Sequence, residues 1–152
     1  MTNEITQETI VEKKKIKPAT KKAGMQVSAK KKTAVARAMI KKGTGKVKIN
    51  HINLEAYAQD TLRSMIKEPL KIAEEVAGEF DINVTVKGSG SISQAFAVRS
   101  VIAKAIVRAK GKKFKDLFLL YDRTLLVDDV RRVESKKPLG TKARAKKQQS
   151  KR

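Results

Sequence analysis

From Phe80 onward, apolar residues fall at every second position: Phe80, Ile82, Val84 and Val86, with polar residues between them. That period of two predicts a strand buried on one side. Gly88-Ser89-Gly90 breaks it, and the period then changes. Ile92, Ala95, Phe96, Val98, Ile102, Ala105, Ile106 and Ala109 recur at helical spacing, with Arg99, Lys104, Arg108 and Lys110 outside the set. Ser91 and Gln94 have the spacing of a capping box, and Gly111 closes the run, so a helix is predicted over 91–110.

Upstream, Thr33 to Ile40 reads as a strand of small and branched residues, and Lys46 to Ile49 alternates cleanly. Gly43-Thr44-Gly45 between them is a turn signal, so the pair is predicted to form a β-hairpin with lysines on one face. Asn53 is a candidate cap for a helix carrying Leu54, Tyr57, Leu62, Met65 and Ile66. Pro69 suits the first turn of a second helix, with Leu70, Ala73, Val76 and Ala77 on its face, and Gly78 suits a positive-φ stop. Downstream, Phe114 to Leu120 predicts a short helix or turn, and Leu125-Leu126-Val127 a short strand. The order strand–strand–helix–helix–strand–helix–strand predicts an α+β or split βαβ domain with helices on one face of a sheet.

The two ends lack this patterning. Residues 1–24 show no sustained apolar period and contain Lys13-Lys14-Lys15, Pro18 and Lys21-Lys22. No period remains after Glu134. The chain therefore divides into a disordered or partner-ordered basic arm at 1–24, a folded domain at 25–135 and an extended basic tail at 136–152.

Charge changes the picture most. Among 152 residues, 36 are Lys or Arg and 15 are Asp or Glu, a net charge of +21. Self-repulsion at that level weakens a compact state unless an anion neutralises it, so a polyanion partner is expected, nucleic acid before any other. The tail alone holds eight basic residues and no acidic one. No basic stretch carries a large aromatic apolar face, which argues against an anionic membrane surface. There is no cysteine and a single histidine, His51, which excludes disulfides, thiolate chemistry and Cys- or multi-His metal sites. No apolar run reaches membrane-spanning length, and Met1 to Ile10 has no signal-peptide pattern, so a cytoplasmic chain is expected.

Three features are candidates for binding. The first is Gly88, Ser89, Gly90 and Gln94. A glycine-rich turn feeding a helix presents backbone N–H groups to an anion. It reads first as a plain strand-to-helix turn, next as an RNA phosphate contact and last as a nucleotide pocket, since it matches neither a Walker loop nor a full dinucleotide fingerprint. The second is the basic hairpin and its approach: Lys30, Lys31, Lys32, Arg37, Lys41, Lys42, Lys46 and Lys48. No acidic residue lies between Lys13 and Glu55 to pair with them, which favours a phosphate-binding surface over a solvated face. The third is the tail. Without an apolar anchor it cannot order alone, but extended it spans roughly 55 Å, enough to thread between RNA helices.

His51, beside Asn50 and Asn53, reads as an ordinary turn residue. Asp122, Asp128, Asp129 and Glu134 are interleaved with Arg123, Arg131 and Arg132, which favours ion pairing over acid–base or Mg²⁺ chemistry. Phe and Tyr are scarce and lie mostly in core-like positions, so recognition by base stacking is not expected.

These residues also resemble a known family. Lys31-Lys-Thr-Ala-Val-Ala-Arg-Ala38 followed by Gly43-x-Gly-x-Val-x-Ile-Asn50 is similar to the opening of the small-subunit ribosomal protein S nine family. Glu68-Pro-Leu70, Gly88-x-Gly with Gln94-Ala-x-Ala-x-Arg99, and Ala103-x-Ala105 continue the likeness. Tyr121-Asp-Arg-Thr-Leu-Leu-Val127 and Asp129-x-Arg-Arg-x-Glu134 resemble its archaeal and eukaryotic branch. Lys142-Ala-Arg144 and Gln148-x-Ser-x-Arg152 complete it. The family usually has a further glycine where Ser89 stands.

The resemblance implies a four-stranded sheet with helices packed on one face, a left-handed βαβ crossover and a long extended basic C-terminal tail. It implies a non-enzymatic structural protein in the head of the small ribosomal subunit, with no cofactor and no small-molecule substrate. Its partners would be small-subunit ribosomal RNA, P-site transfer RNA and neighbouring ribosomal proteins. Carried over, the hairpin lysines, the 88–94 turn, Arg99, Arg123, Arg131 and Arg132 would meet ribosomal RNA. Lys136, Lys137, Lys142, Arg144, Lys146 and Lys147 would line the tail's path through it, and Ser150, Lys151 and Arg152 would reach the transfer RNA. The implied fold also occurs in small-molecule kinases, which keeps the nucleotide reading of 88–94 as an analogy of fold alone.

Overall fold

The computed structural model describes residues 24–57 and 59–145. The arm therefore lies almost wholly outside the described residues, as do Lys146, Lys147, Ser150, Lys151 and Arg152 of the tail.

Alternating burial makes the sheet. In β2 (Ala34–Lys42), Ala34, Ala36, Ala38 and Ile40 are buried while Arg37, Met39 and Lys41 are exposed. In β5 (Phe80–Lys87), Phe80, Ile82, Val84 and Val86 are buried and Asn83, Thr85 and Lys87 exposed, as the period of two predicts. β1 (Met25–Lys31), β3 (Val47–Ile49) and the two-residue β4 (Ile52–Asn53) complete a five-stranded sheet in the order β1-β2-β5-β3-β4. β1, β2 and β5 are successive antiparallel neighbours, β5 and β3 are parallel, and β4 folds back antiparallel on β3.

Three expectations change here. The sheet has five strands rather than four, because the chain reverses at Asn50-His51, both at positive φ, and lays β4 against β3. The strands containing Val35 and Val47 do not form a hairpin with each other. β5 lies between them, and the hairpin partner of β2 is β1, whose lysines hid it in the sequence. Leu125-Leu126-Val127 is not a strand. Arg123–Leu125 is a 3₁₀ turn whose Leu125 is fully buried, and the Asp122 carboxylate caps it by accepting from Thr124 N.

The parallel β3–β5 connection runs through α1 (Asp60–Ile72) and α2 (Glu74–Ala77). Pro69 sits inside α1 rather than opening a new helix, and the break comes at Ala73 instead. Gly78 has φ −69°, so it stops α2 without a left-handed residue. Asn53 precedes a 3₁₀ turn, Leu54–Ala56, and makes no side-chain cap.

α3 (Ser91–Lys110) runs over the predicted residues, from Gly90 as N-cap to Gly111 at φ 91°. Its buried face, Ala95, Val98, Val101, Ile102, Ala105 and Ile106, packs on the small inward residues of β1 and β2. Alanines on both sides allow that close approach. α1 and α4 (Lys112–Tyr121) flank α3, α4 through Phe114 and Phe118. The helices thus cover one face of the sheet, and among the described residues the other stays open. The described part of the tail, 136–145, carries no helix. It bends at Leu139, φ 63°, and Glu134 closes the bend by pairing with Lys137 at 3.2 Å and Arg144 at 2.8 Å.

Candidate nucleic-acid interface

Strand parity sorts the basic residues. Lys30, Arg37, Lys41 and Lys48 are exposed and face away from the helices. Register lines them up in rows. Lys30, Val35 and Lys87 form one, Ser28, Arg37 and Thr85 the next, and Gln26, Met39, Asn83, Lys48 and Asn53 a third that crosses all five strands. Lys87 was not singled out in the sequence, although the alternation of Phe80 to Val86 already put it on the polar side.

Lys31 has the opposite parity and turns to the helix side. Its Nζ lies 3.1 Å from Asp129 Oδ2 and 5.3 Å from the Phe96 ring centroid. Lys32 tops the β1–β2 turn at φ 54°. Lys42 ends β2, and Lys46 lines a groove with Lys67, Lys71, Leu54 and Leu70 between β3 and α1.

The β1–β2 turn abuts the glycine loop. Gly88 has φ 88°, and a Cβ there would meet the Thr33 carbonyl oxygen at 2.5 Å, so no side chain fits. Ser89 is also left-handed, at φ 54°. Ser91 is the first residue of α3 rather than its cap. Gln94 does reach back, but its Nε2 donates to the Gly88 carbonyl at 3.1 Å.

The segment after α4 arrives at this same end of the sheet. Asp128 Oδ1 accepts from Lys30 N at 3.0 Å and lies 2.6 Å from Lys104 Nζ. Asp129 N donates to the Lys30 carbonyl at 3.2 Å. The Arg131 guanidinium and backbone N–H, with the Lys31 ammonium, hold the Asp129 carboxyl far below the usual carboxylate range. Both acids are tethers: Asp129 pairs with the interleaved Arg131, whereas Asp128 pairs with Lys104 of α3. Residues a hundred positions apart thereby converge. Lys32, Thr33, Arg131, Arg132 and Val133 line one cleft, and Lys30, Lys31, Arg123 and Arg131 share a second with Phe96.

Arg99 stands apart. It is 8 % exposed, with Nη2 2.6 Å from Glu68 Oε2 and 3.1 Å from Asp122 Oδ2. That places it as an internal strut between α1, α3 and the 3₁₀ turn, away from the surface cations. His51 is an exposed turn residue. Among the described residues no cluster of His, Cys, Asp or Glu could hold a metal ion, and no helix is long and apolar enough to cross a membrane. The described part of the tail exposes Lys136, Lys137, Lys142 and Arg144.

The family model described as ribosomal protein S9/S16 matches residues 29–152. The small ribosomal subunit protein uS9 of Thermoplasma volcanium is 49% identical over 124 residues, covering 81% of this chain and 94% of its own. That of Thermoplasma acidophilum is 50% identical over 127 residues, covering 83% and 98%. That of Methanococcus vannielii is 44% identical over 110 residues, covering 72% and 82%.

Proposed function

Because this chain belongs to the ribosomal protein S9/S16 family, we propose that it acts as a non-catalytic clamp on RNA in the head of the small ribosomal subunit. It is a structural component of that subunit and not an enzyme. Its folded domain holds small-subunit ribosomal RNA, and its tail reaches the P-site transfer RNA, with neighbouring proteins of the head alongside. On the same reading the β3–β5 crossover is left-handed.

The observation that carries the proposal is the convergence of Lys32 with Arg131 and Arg132 in one cleft beside the 88–90 loop. Phosphate is the natural occupant, because cations crowded together gain most from an anion between them. Lys30, Arg123 and the sheet-surface residues Arg37, Lys41 and Lys48 extend the same field, and Lys136, Lys137 and Lys142 lead it into the tail. The Glu134–Arg144 pair is exposed and costs little to open, which frees the tail to straighten along RNA. Lys146 and Lys147 continue that path, and Ser150, Lys151 and Arg152 make the transfer RNA contact.

Sedimentation of tagged protein tests the first half. It should co-migrate with small subunits through a high-salt wash, and free migration would overturn the proposal. Deleting Ser150 to Arg152 tests the second. Subunit incorporation should persist while P-site transfer RNA binding weakens. Unchanged transfer RNA binding would overturn the tail's role.

A further inference from the structure

We infer that the open face of the sheet is a reader of double-stranded RNA: it seats the shallow minor groove of an RNA helix, its short polar side chains meeting ribose 2′-hydroxyls while its lysines and Arg37 meet the bordering phosphates. The inference rests on the ribosomal RNA reading above and names the form of RNA this face takes.

Three features of the face carry it. The first is charge. Lys30, Lys87, Arg37, Lys41 and Lys48 all lie on it by strand parity. Among the described strand residues the one carboxylate on this face, Asp81, paired in register with Lys41, is already engaged. Its Oδ1 accepts from Thr44 N at 2.9 Å and Lys46 N at 3.0 Å, and those backbone N–H groups hold its carboxyl below the usual range.

The second is shape. Between its cations the face carries the polar side chains Ser28, Thr85, Asn83, Gln26 and Asn53, all exposed and spread from edge to edge. Short side chains on a sheet cannot probe a deep narrow groove. They suit the wide, shallow minor groove of an RNA helix, whose 2′-hydroxyls both donate and accept. The minor groove of B-DNA is narrower and lacks those hydroxyls.

The third is what the face does not present. The described aromatics lie elsewhere: Phe80, Phe114 and Phe118 in the core, Phe96 and Tyr121 on helices, Tyr57 beyond β4. Single-stranded bases would find no ring to stack on. Met39 and Val35 are the large apolar side chains in these rows, too few for the apolar centre of a protein–protein interface, where lysine is also disfavoured.

The test uses the full chain and three probes at matched salt: a short mixed-sequence RNA duplex, a DNA duplex of the same sequence, and one RNA strand alone. The RNA duplex should bind tightest. The charge-preserving triple variant Ser28→Ala, Asn83→Ala, Thr85→Ala should lose about tenfold of the RNA-over-DNA preference, as the loss of two or three hydrogen bonds implies, with its salt dependence unchanged. Equal affinity for the two duplexes, tighter binding of the single strand, or an unaltered preference in the variant would overturn the inference. If no probe binds in a salt-dependent way, the ribosomal RNA reading fails instead. A photo-crosslinker at position 85 (Thr85→benzoylphenylalanine) in assembled subunits gives an answer independent of the variant's folding. It should attach to a helical segment of ribosomal RNA; attachment to a protein would overturn the inference.

Discussion

Asn50 grips Val86 with both halves of its carboxamide: Oδ1 accepts from Val86 N at 2.9 Å, and Nδ2 donates to Val86 O at 3.2 Å. β3 ends one residue earlier, so the side chain continues the ladder that the backbone abandons when it turns at φ 47°. Asn50→Ala removes both bonds and adds left-handed strain, and should cost about 2 kcal/mol in urea unfolding. Asn50→Gly loses the bonds without the strain and should cost less.

Ser89 is the reverse case, a side chain where the backbone asks for none. At φ 54° it holds a left-handed conformation that glycine adopts freely. Ser89→Gly should raise stability by about 0.5–1 kcal/mol, the relief of strain exceeding the entropy that glycine adds to the unfolded chain. A thermal melt reads the difference.

These two residues mark where the sequence was legible and where it was not. β5 and α3 could be read because each buries one face against one neighbour, which leaves periods of 2 and 3.6 intact in Phe80–Val86 and Ile92–Ala109. β1 could not, because an edge strand that exposes Gln26, Ser28 and Lys30 buries only Ala29 fully. The hairpin of the strands around Val35 and Val47 was a misreading of adjacency: a long crossover inserts β5 between them, and no local signal records that. Pro69 looked like a boundary, yet its ring is buried within α1. In the site, residue type announced the cations, but only the fold brings Lys32 to Arg132 and takes Arg99 out of the set.

Arg99 should therefore behave as a structural residue. Arg99→Leu leaves Glu68 and Asp122 facing each other without their shared cation and should cost about 2–4 kcal/mol of stability, since both carboxylates are only partly buried. The slope of RNA affinity against salt should stay as it is, because no phosphate contact is lost. A shallower slope in filter binding would return Arg99 to the interface.

Acid should loosen the same region. Partial burial pushes the Asp122 carboxyl up, but the Thr124 hydroxyl and N–H and the Arg99 guanidinium more than offset this and hold it below its ordinary value. Asp81 is also lowered, by the backbone N–H groups of Lys46 and Thr44. A carboxyl lowered on folding contributes stability that is present above its unfolded pKa, about 4, and lost as pH falls through the folded value. Unfolding midpoints should be flat from neutral pH to about 4 with respect to these groups and fall below it, and Asp122→Asn should reduce the fall.

The tether on β1 gives the last expectation. Asp128 accepts from Lys30 N and pairs with Lys104, while Asp129 pairs with Lys31 and donates its N–H to the Lys30 carbonyl. Together they fix the point from which the tail departs, next to the cleft of Lys32, Arg131 and Arg132. Asp128→Ala removes the carboxylate that joins α3 to this edge while leaving the core untouched. Opening of the segment then needs less free energy, so trypsin should cut after Arg131 and Arg132 several-fold faster, in the regime where cleavage follows local opening. Cleavage after Arg108, inside α3, should keep its rate. If both sites accelerate together, Asp128 supports the whole domain rather than the root of the tail.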